Sequence, residues 1–193
     1  MGSGQSSTGI SKNEKRLMDN TFILAIGTIC SKVIVLLMVP LYSRWMTTED
    51  YGSFDLFYTY LSLLVPIVTL SCGEAAFRFL LDEKTSQGQK KLINTSGIVY
   101  ICGAIISSIG SIIFFSVTNT SCLIPFIILM FSDVLNSYVG FVIRGLQKIK
   151  HYAIMGIINV FFMTIFVTLF VRFWGMGLSG MMLGYAIGML SSA

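Results

Sequence analysis

The sequence predicts an all-α fold: a polytopic transmembrane bundle of about six spans, with its N-terminus in the cytoplasm. Composition, the length of the apolar runs and the placement of Lys and Arg predict it. Hydrophobic residues make up 54% of the 193 and charged residues 11%, against roughly 25% charged in soluble domains. Mean hydropathy is +0.80. So few charges cannot cover the surface of a soluble domain of this size. Runs of about 20 apolar residues match the ~30 Å hydrocarbon core at ~1.5 Å rise per helical residue. Backbone groups in lipid must be satisfied internally, by helices or by closed barrels. Barrel strands alternate polar and apolar over about 10 residues; these runs do not, which leaves helices.

Residues 1–16 are small and polar, then basic (Lys12, Lys15, Arg16), the composition of a flexible cytoplasmic tail. Residues 17–193 form the six-span bundle. The first apolar run is too long for a signal-peptide core and has no A-x-A-like cleavage site, so it reads as an uncleaved anchor. The spans are expected at Thr21–Tyr42, Phe54–Leu81, Leu92–Val117, Cys122–Leu146, Ala153–Trp174 and from Leu178 to Ala193. Pro66 lies in the middle of the second and should kink it by freeing the carbonyl near Ser62. An aqueous loop, Asp82–Lys91, follows. Thr118–Ser121 is a short polar turn, Gln147–Tyr152 a basic loop, and Gly175 and Gly177 bracket a tight turn. Leu178 to Ala193 is 16 residues, about 24 Å as helix and short of a full crossing. The sequence therefore reads as the front part of a longer protein.

Orientation follows from the positive-inside rule. With the N-terminus inside, Lys12, Lys15, Arg16, Arg78, Lys84, Lys90, Lys91, Arg144, Lys148 and Lys150 are cytoplasmic, and only Arg44 and Arg172 lie outside. The net charge of +4 is thus a topology signal and does not point to nucleic acid. Cys30, Cys72, Cys102 and Cys122 form no C-x-x-C pair and read as small hydrophobes. His151 sits in a basic loop. No metal or cofactor motif is present. The sequons at Asn94 and Asn119 fall by chance, at a cytoplasmic span end and in a turn beside the bilayer. No nucleophile elbow, H-E-x-x-H motif or Walker A loop appears, so the chain does not read as an enzyme or an ATP-driven pump.

Function in a membrane protein shows where polar residues persist at depth. A mid-bilayer charge costs about 2.5–3.5 kcal/mol on insertion scales, so it usually faces an interior or water. Lys32 lies eleven residues into the first span, roughly 16 Å deep, with Thr28 and Ser31 on its face. It either lines a cavity or sits in a thinned bilayer or structural pair. Asp133 lies at similar depth in the fourth span, and Ser132, Asp133, Asn136, Ser137, Gly140 and Arg144 form a polar stripe at helical spacing. The stripe is either cavity lining or interhelical hydrogen-bond glue. The opposite charges and matched depths of Lys32 and Asp133 suggest a pair. Glu74 and Arg78, four apart, allow an intrahelical ion pair, and Asp55 is interfacial. Gly103, Ser107 and Ser111, and likewise Gly180, Gly184 and Gly188, repeat every four residues, as in faces that let helices approach closely. Trp45, Tyr51, Tyr152 and Trp174 sit at expected interfaces.

Several segments carry a resemblance. Asn20-Thr21-Phe22, Ser31-Lys32, Val39-Pro40-Leu41-Tyr42-Ser43-Arg44, Thr48-Glu49-Asp50-Tyr51-Gly52 and Ser71-Cys72-Gly73-Glu74-Ala75-Ala76-Phe77-Arg78-Phe79 resemble the N-terminal part of bacterial polysaccharide-export flippases. These belong to the multidrug/oligosaccharidyl-lipid/polysaccharide exporter superfamily. The first 80 residues carry the distinctive motifs; beyond them the likeness is one of arrangement. The resemblance implies two helical lobes around a central cavity and movement of undecaprenyl-diphosphate-linked oligosaccharide from the cytoplasmic to the outer leaflet. It implies the bacterial plasma membrane as location, and the bilayer, the lipid-linked oligosaccharide and a C-terminal lobe of the same protein as partners. It implies that Lys32, Arg44 and Arg78, and less sharply Arg144, meet the lipid diphosphate. With the stripe residues Asp133 and Asn136 these are the expected substrate-binding residues. A lipid II or multidrug exporter of the same superfamily remains open, as do a polyprenyl-lipid-processing membrane enzyme and a non-transporting scaffold. The short outer loops argue against the enzyme.

Overall fold

The computed structural model describes residues 7–118 and 122–193. Among the described residues it is helical throughout, without strands: α1 (Ser7–Trp45), α2 (Thr48–Val68), α3 (Cys72–Asp82), α4 (Ser86–Thr118), α5 (Leu123–Gly145), α6 (Ile149–Val167) with a π-helical continuation (Thr168–Phe173), and α7 (Gly177–Ser192). Five helices are long and apolar enough to cross a membrane, falling in α1, α2, α4, α5, and α6 with its π-helical end. The all-α polytopic bundle expected from composition is therefore what the chain forms. The sixth expected span corresponds to α7, at 16 residues.

The boundaries differ from expectation in three places. α1 begins at Ser7, so residues 7–16, expected in a flexible tail, continue the first span as helix. α4 begins at Ser86, which shortens the expected aqueous loop to Glu83–Thr85. There Glu83 closes the turn itself, its Oε1 accepting from the Thr85 N–H at 2.9 Å while its carbonyl accepts from Gln89 Nε2 at 2.9 Å. Asn94 consequently sits within α4, and the Asn119 sequon lies outside the described residues.

The third difference shapes the molecule. The second span is not one kinked helix but two. Pro66 lies in the last turn of α2, which stops at Val68. The Leu70 N–H donates to Ile67 O at 3.1 Å and the Ser71 N–H to Pro66 O at 2.9 Å, the paired closures of a Schellman cap. Thr69 Oγ1 donates to Val65 O at 2.8 Å. With its terminal carbonyls occupied in this way, a helix can end inside a membrane protein without leaving them unpaired. The cap holds two non-glycine residues, Leu70 (φ 51°) and Ser71 (φ 49°), in the left-handed region. The two halves then diverge: α2 packs on α4 and α7, whereas α3 packs on α5 and α4.

A large core binds one end of the bundle. It unites Tyr42 and Met46 of α1, Phe54 and Leu61 of α2, Phe126, Leu129 and Met130 of α5, Met163 and Val167 of α6, and Met181, Met182 and Ala186 of α7. α7 approaches α6 most closely, because its glycine stripe has no side chains. A Cβ on Gly184 would lie 2.6 Å from Val167 N, and one on Gly188 would lie 2.8 Å from Met163 Cα. Gly175 and Gly177, at φ 61° and 50°, make the turn into α7. A smaller cluster of Val65, Tyr100, Ala104 and Val134 sits toward the other end, the one that charge asymmetry assigns to the cytoplasm.

Candidate functional site

Most hydroxyls within the bundle are satisfied by their own helix. Ser132 Oγ donates to Ile128 O at 2.6 Å, Ser111 Oγ to Ser107 O at 2.8 Å and Thr168 Oγ1 to Thr164 O at 2.8 Å. Such back-bonding lets a polar residue sit in a dry interior. Ser132 is buried, as are Ser107 and Ser111 of α4, so this part of the α5 stripe and the small-residue face of α4 serve packing. Lys32, Asn136, Asn159, Glu74 and Asp133 instead line two cavities beside α5.

The first cavity, about 200 Å³, is lined by Thr28, Ser31 and Lys32 of α1, Asn136 of α5, and Tyr152, Gly156 and Asn159 of α6. Small residues bring α1 and α6 together beneath it: a Cβ on Gly27 would meet Ala153 Cβ at 3.2 Å, and one on Gly156 would meet Ser31 Oγ at 3.7 Å. Ser31 Oγ is occupied by Gly27 O at 2.9 Å. Asn136 Nδ2 reaches Ser192 Oγ at 3.5 Å, a long contact that leaves the amide free to turn. Lys32 is exposed, and among the described residues it has no ion-pair partner. The arrangement offers one cation and two amides to an anionic or heavily hydrated group.

The second cavity, about 260 Å³, opens at the break between α2 and α3. Ser62, Thr69, Ser71 and Glu74 line it from the broken span, Tyr100 from α4, and Asp133, Ser137 and Phe141 from α5. Gly73 makes the close approach possible, since a Cβ there would collide with the Tyr100 hydroxyl and the Phe141 ring. Tyr138 Oη donates to Ile93 O at 2.8 Å, which fixes α5 against α4 beside the cavity.

The expected site residues therefore separate. Lys32 and Asn136 share the first cavity, and Asp133 lines the second. The suggested Lys32–Asp133 pair does not form among the described residues, because α5 stands between the two cavities. Glu74 and Arg78 form no ion pair there either: Glu74 turns to the cavity and Arg78 is exposed. Arg44 is exposed in the last turn of α1. Arg144 lines neither cavity. Its guanidinium lies over the rings of Phe141 (4.7 Å), Tyr152 (5.0 Å) and Phe77 (5.6 Å), and its Nε donates to Gly140 O at 3.3 Å. Reading the sequence missed Ser62, Tyr100 and Asn159 as cavity residues. Asn159, an amide deep in the fifth span, was the one visible signal.

The family model of polysaccharide biosynthesis proteins matches residues 17–193. The chain belongs to the polysaccharide biosynthesis protein family. No curated protein and no solved structure matches it significantly. In this polysaccharide biosynthesis protein the stretch Thr48–Gly52 proves to be a helix start. Thr47 caps α2, its Oγ1 accepting from the Asp50 N–H at 3.1 Å, with Glu49 and Asp50 in the first turn, where the helix dipole favours acidic groups. The Asp50 carboxylate also sits against Gly177, the first residue of α7, 3.0 Å from where a Cβ would stand.

Proposed function

We propose that this member of the polysaccharide biosynthesis family is the N-terminal lobe of a transporter. It moves undecaprenyl-diphosphate-linked oligosaccharide from the cytoplasmic to the outer leaflet of a bacterial plasma membrane, with a C-terminal lobe of the same protein supplying the other half of the route. One observation carries the reading. Lys32 lines a polar cavity with Asn136 and Asn159 in the half of the bundle assigned to the cytoplasm, while the large core closes the opposite half.

The physical argument is one of solvation. A diphosphate-sugar headgroup is anionic and strongly hydrated, so its passage needs a wet path with cations placed on it. Rocking of two bundles around a midplane site, built partly from broken helices, is a general solution for such transport. In this reading Lys32 and Asn136 meet the diphosphate. Asp133 faces the other cavity, across α5 from Lys32. Arg78 and Arg44, exposed at opposite ends of the bundle, are among the cations available where the lipid is taken up and released. Arg144 acts indirectly, by holding α3, α5 and α6 together through the three rings beneath it.

The test is the leaflet distribution of the lipid-linked oligosaccharide in cells depleted of the full-length protein. Inner-leaflet accumulation that wild type reverses, and that a normally inserted Lys32→Ala variant does not, supports the reading. An unchanged distribution on depletion refutes it.

A further inference from the structure

The cavity at the break between α2 and α3 has a chemistry unlike that of the Lys32 cavity. It carries two carboxylates, Glu74 and Asp133, a set of hydroxyls including Ser71, Ser137 and Tyr100, and the apolar wall of Phe141. At about 260 Å³ it is far larger than a bare ion needs. Among the described residues no third carboxylate, Cys or His joins the two acids in a metal-holding group. Carboxylates that accept, hydroxyls that both donate and accept, and an apolar surface beside them match a polyhydroxylated ring, which has hydroxyls at its edge and C–H groups on its faces.

We propose that this cavity receives a saccharide unit of the transported lipid. The proposal rests on the reading of the chain as a transporter of lipid-linked oligosaccharide, and adds a division of labour within it. The cavity on one flank of α5 takes the diphosphate at Lys32, and the cavity on the other flank takes sugar at Asp133 and Glu74. The spacing along α5 fits. Asp133 and Ser137 line the sugar cavity and Asn136 the diphosphate cavity, so the two lie within one turn, about 5.4 Å, of each other in height along the helix, and a headgroup straddling α5 reaches both. The break in the second span is what makes room. An unbroken helix would have no left-handed turn at Leu70 and Ser71 to separate α2 from α3. Carboxylates placed here also disfavour a second anionic group, which biases the headgroup toward one orientation.

The experiment compares two probes on the full-length protein in nanodiscs: undecaprenyl diphosphate carrying the oligosaccharide, and undecaprenyl diphosphate alone. Wild type is expected to prefer the glycosylated lipid by at least about tenfold in Kd, the scale of one well-made hydrogen-bonding contact. Asp133→Asn, nearly isosteric, and Glu74→Gln should lower that preference severalfold with unchanged thermal stability. Lys32→Ala should weaken both lipids and leave the preference in place. A preference untouched by both acidic-residue variants overturns the proposal, as does an equal loss for both lipids. Retained preference together with sodium binding to wild type that both acidic-residue variants abolish would also overturn it, and would make the cavity a cation site. Failure of wild type to bind even the bare lipid refutes the transporter reading itself, and the saccharide assignment with it.

Discussion

Lys32 on α1 and Asn136 on α5 line one cavity, although Asp133, not Asn136, is the residue whose charge complements Lys32. The lysine is therefore available to a ligand. A charge-assisted contact contributes about 1.5–3 kcal/mol, so Lys32→Ala should reduce transport or binding of the diphosphate lipid by roughly 10- to 100-fold. Lys32→Arg should retain most of it. Thermal stability in detergent should change little for either variant, because no protein group among the described residues loses an ion-pair partner.

Arg144 should behave in the opposite way. Its guanidinium spans three aromatic rings on α3, α5 and α6. A lysine cannot reproduce that planar stacking. Arg144→Lys is expected to lower stability by about 1–2 kcal/mol, seen as a lower unfolding midpoint. Any loss of transport should follow the loss of folded protein, with affinity for the lipid preserved.

Leu70 occupies a left-handed position at φ 51° and is 82% exposed. Its side chain contributes little packing, so backbone preference decides the outcome. Leu70→Gly should be neutral or slightly stabilising, since the strain at such a position is about 1–2 kcal/mol and is offset in part by the glycine's entropy. The β-branched Leu70→Val should cost stability. Unfolding midpoints of the two variants, measured side by side, check the order.

Two glycines separate crowding from helix propensity. A Cβ on Gly184 would lie 2.6 Å and 2.7 Å from backbone atoms of Val167, whereas one on Gly110 would meet nothing within 4 Å. Backbone cannot rotate away, so Gly184→Ala should cost about 1–3 kcal/mol. Gly110→Ala should be neutral or add up to about 1 kcal/mol. Equal effects at the two positions would contradict the close α6–α7 contact.

The sequence was most legible where physics leaves few options. Long apolar runs in lipid must be helices, and the tight turn at Gly175 and Gly177 is visible because glycine supplies positive φ without strain. The break at Thr69–Ser71 was not legible, because Leu70 and Ser71 are not residues that usually take left-handed conformations; only Pro66 hinted at it. The stripe on α5 was legible as polar, but not as divided. Whether Ser132 bonds its own helix or Asp133 faces a cavity depends on which helices lie beside α5. That order, with α1 against α6 and α2 against α4 and α7, is not written in local periodicity. Glu74 was visible only as half of an ion pair, since the turn that points it into a cavity belongs to the break.

The measurement that tests the central claim most directly is transbilayer movement of the lipid-linked oligosaccharide by purified full-length protein in liposomes. Substrate labelled in the inner leaflet becomes sensitive to an externally added glycosidase when it is flipped. Wild type should accelerate this appearance over protein-free vesicles, and Lys32→Ala at equal incorporation should be at least about tenfold slower. No acceleration by wild type, or full speed with Lys32→Ala, would contradict passage through the Lys32 cavity.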